Sequence, residues 1–211
     1  MTAGVLLQRA DALLVDLDGT LIDSSAPVRR AWEAFADRHG LDPDEVERFA
    51  HGRPSRESIR SLAPDTDQER EATALEEAEL GDTEGVTALP GALELLGSGR
   101  RLAIVTSCST ALAETRLRAA GLPIPSILVS SDGLEHGKPD PSCFFIGARR
   151  LGVEPARCVV LEDAPAGIRA GRDAGARVIA VRTTHGDQDL AEADSIVDDL
   201  RALLATAARA A

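Results

Sequence analysis

The sequence predicts an α/β fold, with a parallel sheet core and a block of helices inserted after the first strand. Two observations predict it. Short apolar, β-prone runs recur at 12–16, 102–106, 127–130, 158–161, 178–181 and, more weakly, 195–197, with helical stretches between them. Near-continuous apolar strands alternating with helices indicate a Rossmann-like parallel sheet covered on both faces. Between the first two runs, from about 24 to 84, only helical patterns occur. An insert of that kind, directly after the first strand, reads as a cap standing over the sheet.

Taken in order, the first run ends in Asp16, Leu17, Asp18, Gly19 and Thr20. The insert then opens with an apolar stripe of Ala31, Trp32, Phe35 and Ala36, and a second stripe begins at Ile59 and Leu62. At helical spacing these are core positions of the cap rather than a substrate platform. The acidic stretch 67–84 reads as a solvated cap face, with Glu69, Glu71, Glu76, Glu77 and Glu79 as solvated acids. Connections to the core fall near Asp23 and at 85–90, which divides the chain into a core domain of 1–23 and 85–211 and a cap domain of 24–84. Helices are expected at 91–96, 110–120, 141–151 and 165–174. Gly121, Gly152 and Gly175 stand where C-terminal caps belong. An alanine-rich tail, 205–211, closes the chain.

Composition bounds the function. With 211 residues, 44% hydrophobic and 27% charged, the chain can bury a sizeable core. No apolar run approaches the ~20 residues of a membrane span, and the first residues lack the pattern of a signal peptide. Three cysteines (Cys108, Cys143 and Cys158) are too few for a disulfide framework or a zinc site. A cytoplasmic protein is expected. The net charge of −12 argues against a nucleic-acid partner, because phosphate backbones are bound by basic faces. The expected partner is a small molecule. The composition is compatible with a monomer and does not fix the oligomeric state.

Of the 23 basic side chains, 22 are arginine and one is Lys138, in a Gly-Lys-Pro turn. Where arginine serves nearly everywhere, the lone lysine marks a place for a compact point charge rather than a wide planar fork. Ligands of open α/β sheets collect at the carboxyl ends of the strands. There the sequence puts the paired carboxylates Asp16 and Asp18, the hydroxyls Thr106 and Ser107 ahead of a helix, Lys138 ahead of another, and Glu162 and Asp163 ahead of a third. Two carboxylates beside a glycine turn are either solvated loop acids or a nucleophile and a proton-transfer group. Amides and hydroxyls at a helix N-terminus suit a phosphate.

Four segments together, LLVDLDGTLIDS (13–24), LAIVTS (102–107), GKPDP (137–141) and VVLEDAPAGIRAGRDAGA (159–176), resemble the haloacid dehalogenase-like hydrolases. The likeness is to phosphatases with a helical cap after the first strand, and it spans essentially the whole chain. The resemblance implies Asp16 as nucleophile and Asp18 as acid/base. Thr106 and Ser107 would bind phosphate, and Lys138 would bridge Asp16 and the phosphoryl group. It further implies Mg²⁺ held by Asp16, Asp163 and the Asp18 carbonyl, with Glu162 beside them. Such an ion takes oxygen ligands and offsets the repulsion between an anionic nucleophile and an anionic ester.

Within that superfamily, dehalogenases of this kind lack the second aspartate, which is present here as Asp18. Phosphonatases use a cap lysine, and no lysine exists outside Lys138. Relatives of β-phosphoglucomutase carry a histidine twelve residues past the nucleophile, where this chain has Val28. Hydrolysis of small phosphomonoesters, sugar or polyol phosphates first, is the expected activity. A phosphomutase, or a phosphatase for phosphoglycolate or a nucleotide, is the alternative. By resemblance, Gly52 and Arg53 in the loop at His51 face the substrate, with Arg56 as a second choice that reads better as solvent-facing. Cys108 reads as a small filler, and His39, His51, His136 and His185 match no catalytic position.

Overall fold

The computed structural model describes residues 1–50 and 55–210, the side chains of 209 and 210 excepted. The chain begins with α1 (Ala3–Arg9) and β1 (Ala12–Val15), followed by a two-residue strand β2 (Ile22–Asp23). Four helices come next: α2 (Ser25–His39), α3 (Pro43–Ala50), α4 (Ser55–Leu62) and α5 (Gln68–Gly81). After the short β3 (Thr87–Ala88), strands and helices alternate: α6 (Ala92–Leu96), β4 (Leu102–Val105), α7 (Thr110–Ala119), β5 (Leu128–Val129) and α8 (Ser142–Leu151). The last third adds β6 (Cys158–Glu162), α9 (Pro165–Asp173), β7 (Arg177–Val181), β8 (Ser195–Val197) and α10 (Leu200–Ala210).

Six strands form one parallel sheet in the order β5-β4-β1-β6-β7-β8. Successive side chains of a strand face opposite sides, and the two cores follow that period. Leu13, Val15, Ile104, Leu161 and Ile179 face a layer built from α1, α6, α7 and α10. Leu14, Val105, Val160 and Val178 face α8 and α9, where Phe144, Ala148 and Ile168 fill the interior. All four residues of β1 are buried, as befits the strand at the sheet's middle.

The four insert helices bury an apolar cluster of their own, centred on Trp32, Phe35, Val46, Ile59 and Leu75. Trp32 and Phe35 meet edge to face with ring centroids 5.3 Å apart, a favoured aromatic geometry. Their assignment as interior residues of the insert therefore holds.

Three elements differ from the sequence expectation. α1, absent from that reading, packs its Leu6 and Leu7 into the core beside Leu203 and Ala207 of α10. Residues 205–210 of the alanine-rich tail are the end of α10, a helix with a buried face. At the junctions of the insert, β2 and β3 pair antiparallel, Ile22 with Ala88 and Asp23 with Thr87. Strands of two residues carry no periodicity that a sequence pattern can reveal.

Candidate active site at the carboxyl edge of the sheet

β1, β4 and β6 are neighbours, so their C-terminal ends bring Asp16, Thr106, Glu162 and Asp163 to one edge. The amide of Asp16 donates to Leu161 O at 3.0 Å, which carries the sheet register one residue beyond β1. Lys138 reaches the same point from the β5–α8 connection, next to a cis Lys138–Pro139 peptide bond. Its Nζ donates to Asp16 Oδ1 at 2.5 Å, to Glu162 Oε1 at 2.6 Å and to Val105 O at 3.1 Å. An ammonium has three protons, and all three are taken up. Lys138 is only 7% exposed, and a planar guanidinium could not point at these three acceptors from one atom. The lone lysine of the sequence occupies a place that arginine cannot fill.

Glu162 is fully engaged by the protein. Besides Lys138 on Oε1, its Oε2 accepts the amides of Asp163 at 3.2 Å and Ala164 at 3.3 Å. The carboxylate lies against the first turn of α9, where a Cβ on Gly167 would fall 1.8 Å from Glu162 Oε1. Asp163 Oδ1 sits 3.5 Å from the hydroxyl of Thr20, and Oδ2 accepts the hydroxyl of Thr184. Gly19 is required for two reasons: its φ is +81°, and a Cβ there would lie 2.1 Å from Asp163 Oδ2. The glycine of the Asp-Gly-Thr turn is what lets β1 and β6 bring their acids together.

Asp16, Glu162 and Asp163 each offer an oxygen within 4.8 Å of the others. Three carboxylates face one ammonium, and full ionisation would leave an excess of two negative charges in a buried space. Burial pushes Asp16 up to about 8 against the pull of Lys138, and pushes Asp163 up to about 7, with the charge of Asp16 adding to it. Burial likewise raises Glu162. For Lys138 burial works downward, but Asp16 and Glu162 outweigh it and hold the ammonium well above its ordinary value. A divalent cation would balance the excess charge, and an all-oxygen donor set without histidine or cysteine suits Mg²⁺ rather than zinc. The residues present fit that group.

Asp18 stands apart from this cluster. Its Oδ1 accepts Ser24 Oγ at 2.6 Å and Arg116 Nη1 at 2.9 Å, while Oδ2 has no hydrogen bond among the described residues. The other arm of Arg116, Nη2, donates to Glu79 Oε2 at 2.5 Å. Glu79 is thus not a solvated acid, contrary to the sequence expectation: it is 7% exposed and bound by an arginine of α7. Sequence reasoning missed Arg116, Glu79, Ser24, Thr20 and Thr184. For two of them a signal existed. Arg116 falls on the buried stripe of α7 with Leu112, Ala113 and Leu117, and Glu79 shares the buried face of α5 with Leu75. A charge at an apolar-stripe position needs a partner.

On the β4 side, Thr106 is buried with its Oγ1 3.3 Å from the amide of Cys108, while Ser107 is exposed. Ser109 caps α7 by accepting the amide of Leu112 at 3.2 Å. Burial pushes the Cys108 thiol far up, which works against the thiolate a nucleophile needs. Gly52 and Arg53, together with His51, lie outside the described residues. Arg56 is committed to an exposed ion pair with Glu69. Val28 packs half-buried against the insert cluster. His39 pairs with Glu71 at 3.1 Å, His136 is exposed, and His185 Nδ1 lies 3.1 Å from Asp163 O. A cleft of about 550 Å³ lined by Asp11, Arg101, Arg149 and Arg157 lies at the opposite, N-terminal ends of the strands.

Comparison with known proteins agrees with this geometry. Hexitol phosphatase A of Escherichia coli (strain K12) is 43% identical over 205 residues, covering 94% of this chain and 95% of its own. Fructose-1-phosphate phosphatase YqaB of the same organism is 33% identical over 187 residues, covering 84% and 99%. Among solved structures, CbbY from Rhodobacter sphaeroides in complex with phosphate superposes with a TM-score of 0.82 at 27% identity, covering 94% of this chain and 99% of that one. Residues 10–175 match the haloacid dehalogenase-like hydrolase family, and the chain belongs to that family.

Proposed function

We propose that this hydrolase is a Mg²⁺-dependent phosphatase of small sugar or polyol phosphates, working through an aspartyl phosphate on Asp16. Its class, a phosphoric monoester hydrolase, follows from the family and from relatives that are phosphatases themselves. The observation that carries the reading is the buried lysine held against Asp16 and Glu162 beside Asp163.

Asp16 attacks the phosphorus, the bond from phosphorus to the ester oxygen breaks, and Asp18 gives a proton to the departing alkoxide. Water then attacks the phosphorus of the aspartyl phosphate, Asp18 takes its proton, and inorganic phosphate leaves with Asp16 restored. Lys138 fixes Oδ1 of Asp16 and so leaves Oδ2 to react. All three Lys138 donors already have protein acceptors, so contact with a phosphoryl oxygen requires one of them to be released. Mg²⁺ held by Asp16 and Asp163 would neutralise charge between nucleophile and ester. Glu162, with both oxygens occupied, serves as the anchor of Lys138. Thr106 and Ser107 are assigned to the phosphate, and Gly52 and Arg53 to the remainder of the substrate.

Residues 24–84 are assigned as a cap that closes over bound substrate, excluding water from the first step. The polyol preference rests on the hexitol phosphatase relative. The test is phosphate release across sugar, polyol, nucleotide and hydroxyacid phosphates, with magnesium and with chelator. Magnesium-dependent release concentrated on sugar or polyol phosphates is expected. Release that is indifferent to chelator, or confined to nucleotides, overturns the proposal.

A further inference from the structure

Arg116 and Glu79, 4% and 7% exposed, are buried side by side at the boundary between α7 and α5. Charges so removed from water persist only when paired and hydrogen-bonded, and this pair does not end at itself. It continues to Asp18, and Asp18 in turn holds Ser24. Ser24 immediately precedes α2, and Glu79 lies in the last turn of α5. The chain's passage into the four-helix insert and its passage out therefore both converge on one carboxylate.

We propose that Arg116 is a positioning residue for Asp18, and that Glu79 makes this positioning depend on the seating of α5 against α7. The inference rests on the acid/base reading of Asp18. Two donors hold Oδ1, and Oδ2, without a partner among the described residues, is the oxygen that exchanges protons with substrate and water. The guanidinium plane is fixed at both ends, Nη1 on Asp18 and Nη2 on Glu79. A planar fork transmits the direction of one bond to the other, which a lysine cannot do. When α5 lifts away, Nη2 loses its acceptor and the plane is no longer defined, so Asp18 is oriented only while the insert is seated.

Leaving groups of different basicity separate this role from a structural one. An alkoxide leaves with a proton from Asp18, whereas p-nitrophenolate needs none. With magnesium present, kcat/KM is measured for sorbitol 6-phosphate and for p-nitrophenyl phosphate in wild type, Asp18→Asn, Arg116→Met and Glu79→Gln. Arg116→Met is expected to lower kcat/KM for the sorbitol ester about 10- to 100-fold more than for the aryl ester, chiefly through kcat. Glu79→Gln should act in the same direction by a smaller factor. Equal losses on the two esters in Arg116→Met, with Asp18→Asn selective, overturn the proposal alone. If Asp18→Asn is itself unselective, the acid/base reading falls and the proposal falls with it. A wild type releasing no phosphate from either ester overturns the phosphatase reading. Should Arg116→Met not fold, the Glu79→Leu/Arg116→Met double variant, which removes both buried charges, carries the same comparison.

Discussion

Two groups of buried charge meet at the end of β1, and they are built from different material. Around Asp16, the partners are Lys138, Glu162 and Asp163: backbone fixes Lys138 through Val105 O and Glu162 through the amides of Asp163 and Ala164, the sheet register fixes Asp16 itself, and the hydroxyls of Thr20 and Thr184 hold Asp163. Around Asp18, the partners are side chains of helices and of the insert junction, Arg116, Glu79 and Ser24. Among the described residues the first group takes no partner from the insert, and the second is incomplete without it. The proposed nucleophile and its charge partners are thus mounted at the sheet edge. The proposed acid/base, Asp18, is mounted where side chains of the insert junction and, through Arg116, of α5 reach it.

The largest effect expected from breaking the first group is Asp16→Asn. Loss of the proposed nucleophile should reduce phosphate release on the order of 10⁵-fold or more, with the fold intact by circular dichroism. Residual turnover near wild type would remove Asp16 from the mechanism. Lys138→Arg follows. It keeps the charge but cannot satisfy Asp16, Glu162 and Val105 O from one atom, so kcat should fall about 10²- to 10³-fold. A variant within a few-fold of wild type would show that only charge is needed there.

These two groups also differ in how far they can be read from sequence. Asp16 and Asp18, Glu162 and Asp163, and Lys138 stand at strand ends or in a turn before a helix, where the residues following a strand announce the site. The order of the strands then brings them together. Arg116 and Glu79 lie singly on amphipathic helices, 37 residues apart in sequence, and Asp18 is 98 residues from Arg116, so their meeting depends on how the helices seat. Glu79 sits in a run of acids, and composition made it look solvated; only its place above Leu75 set it apart. The β2–β3 ribbon was illegible for another reason, since pairing between two residues at each end of the insert leaves no periodic trace.

A smaller effect sharpens the contrast at the turn that joins the groups. Gly19→Ala forces an L residue to φ near +81°, with a methyl 2.1 Å from Asp163 Oδ2. Backbone strain of about 1–2 kcal/mol should appear in chemical denaturation. Displacement of Asp163 should weaken magnesium half-saturation about 10- to 100-fold. Unchanged magnesium dependence with lowered stability would mean that Asp163 does not hold the ion.

The smallest effect concerns pH. In metal-free protein, burial holds Asp16 up to about 8 and Asp163 up to about 7, whereas an unfolded aspartate ionises near 3.8. Between these values the folded protein binds more protons than the unfolded chain, so its stability falls as pH rises from about 4 to about 8. Below that window both states are protonated and the difference vanishes. Magnesium bound to the ionised carboxylates would act against the fall. The rise in Tm on adding magnesium should therefore be slight near the acid end and grow toward the neutral end. Because the net charge of −12 also destabilises the fold as pH rises, the decisive measurement is the magnesium-dependent part of Tm in wild type and in Asp163→Asn. Loss of that part in the variant ties the pH dependence to the sheet-edge group. A magnesium shift that is the same at every pH would place the ion elsewhere.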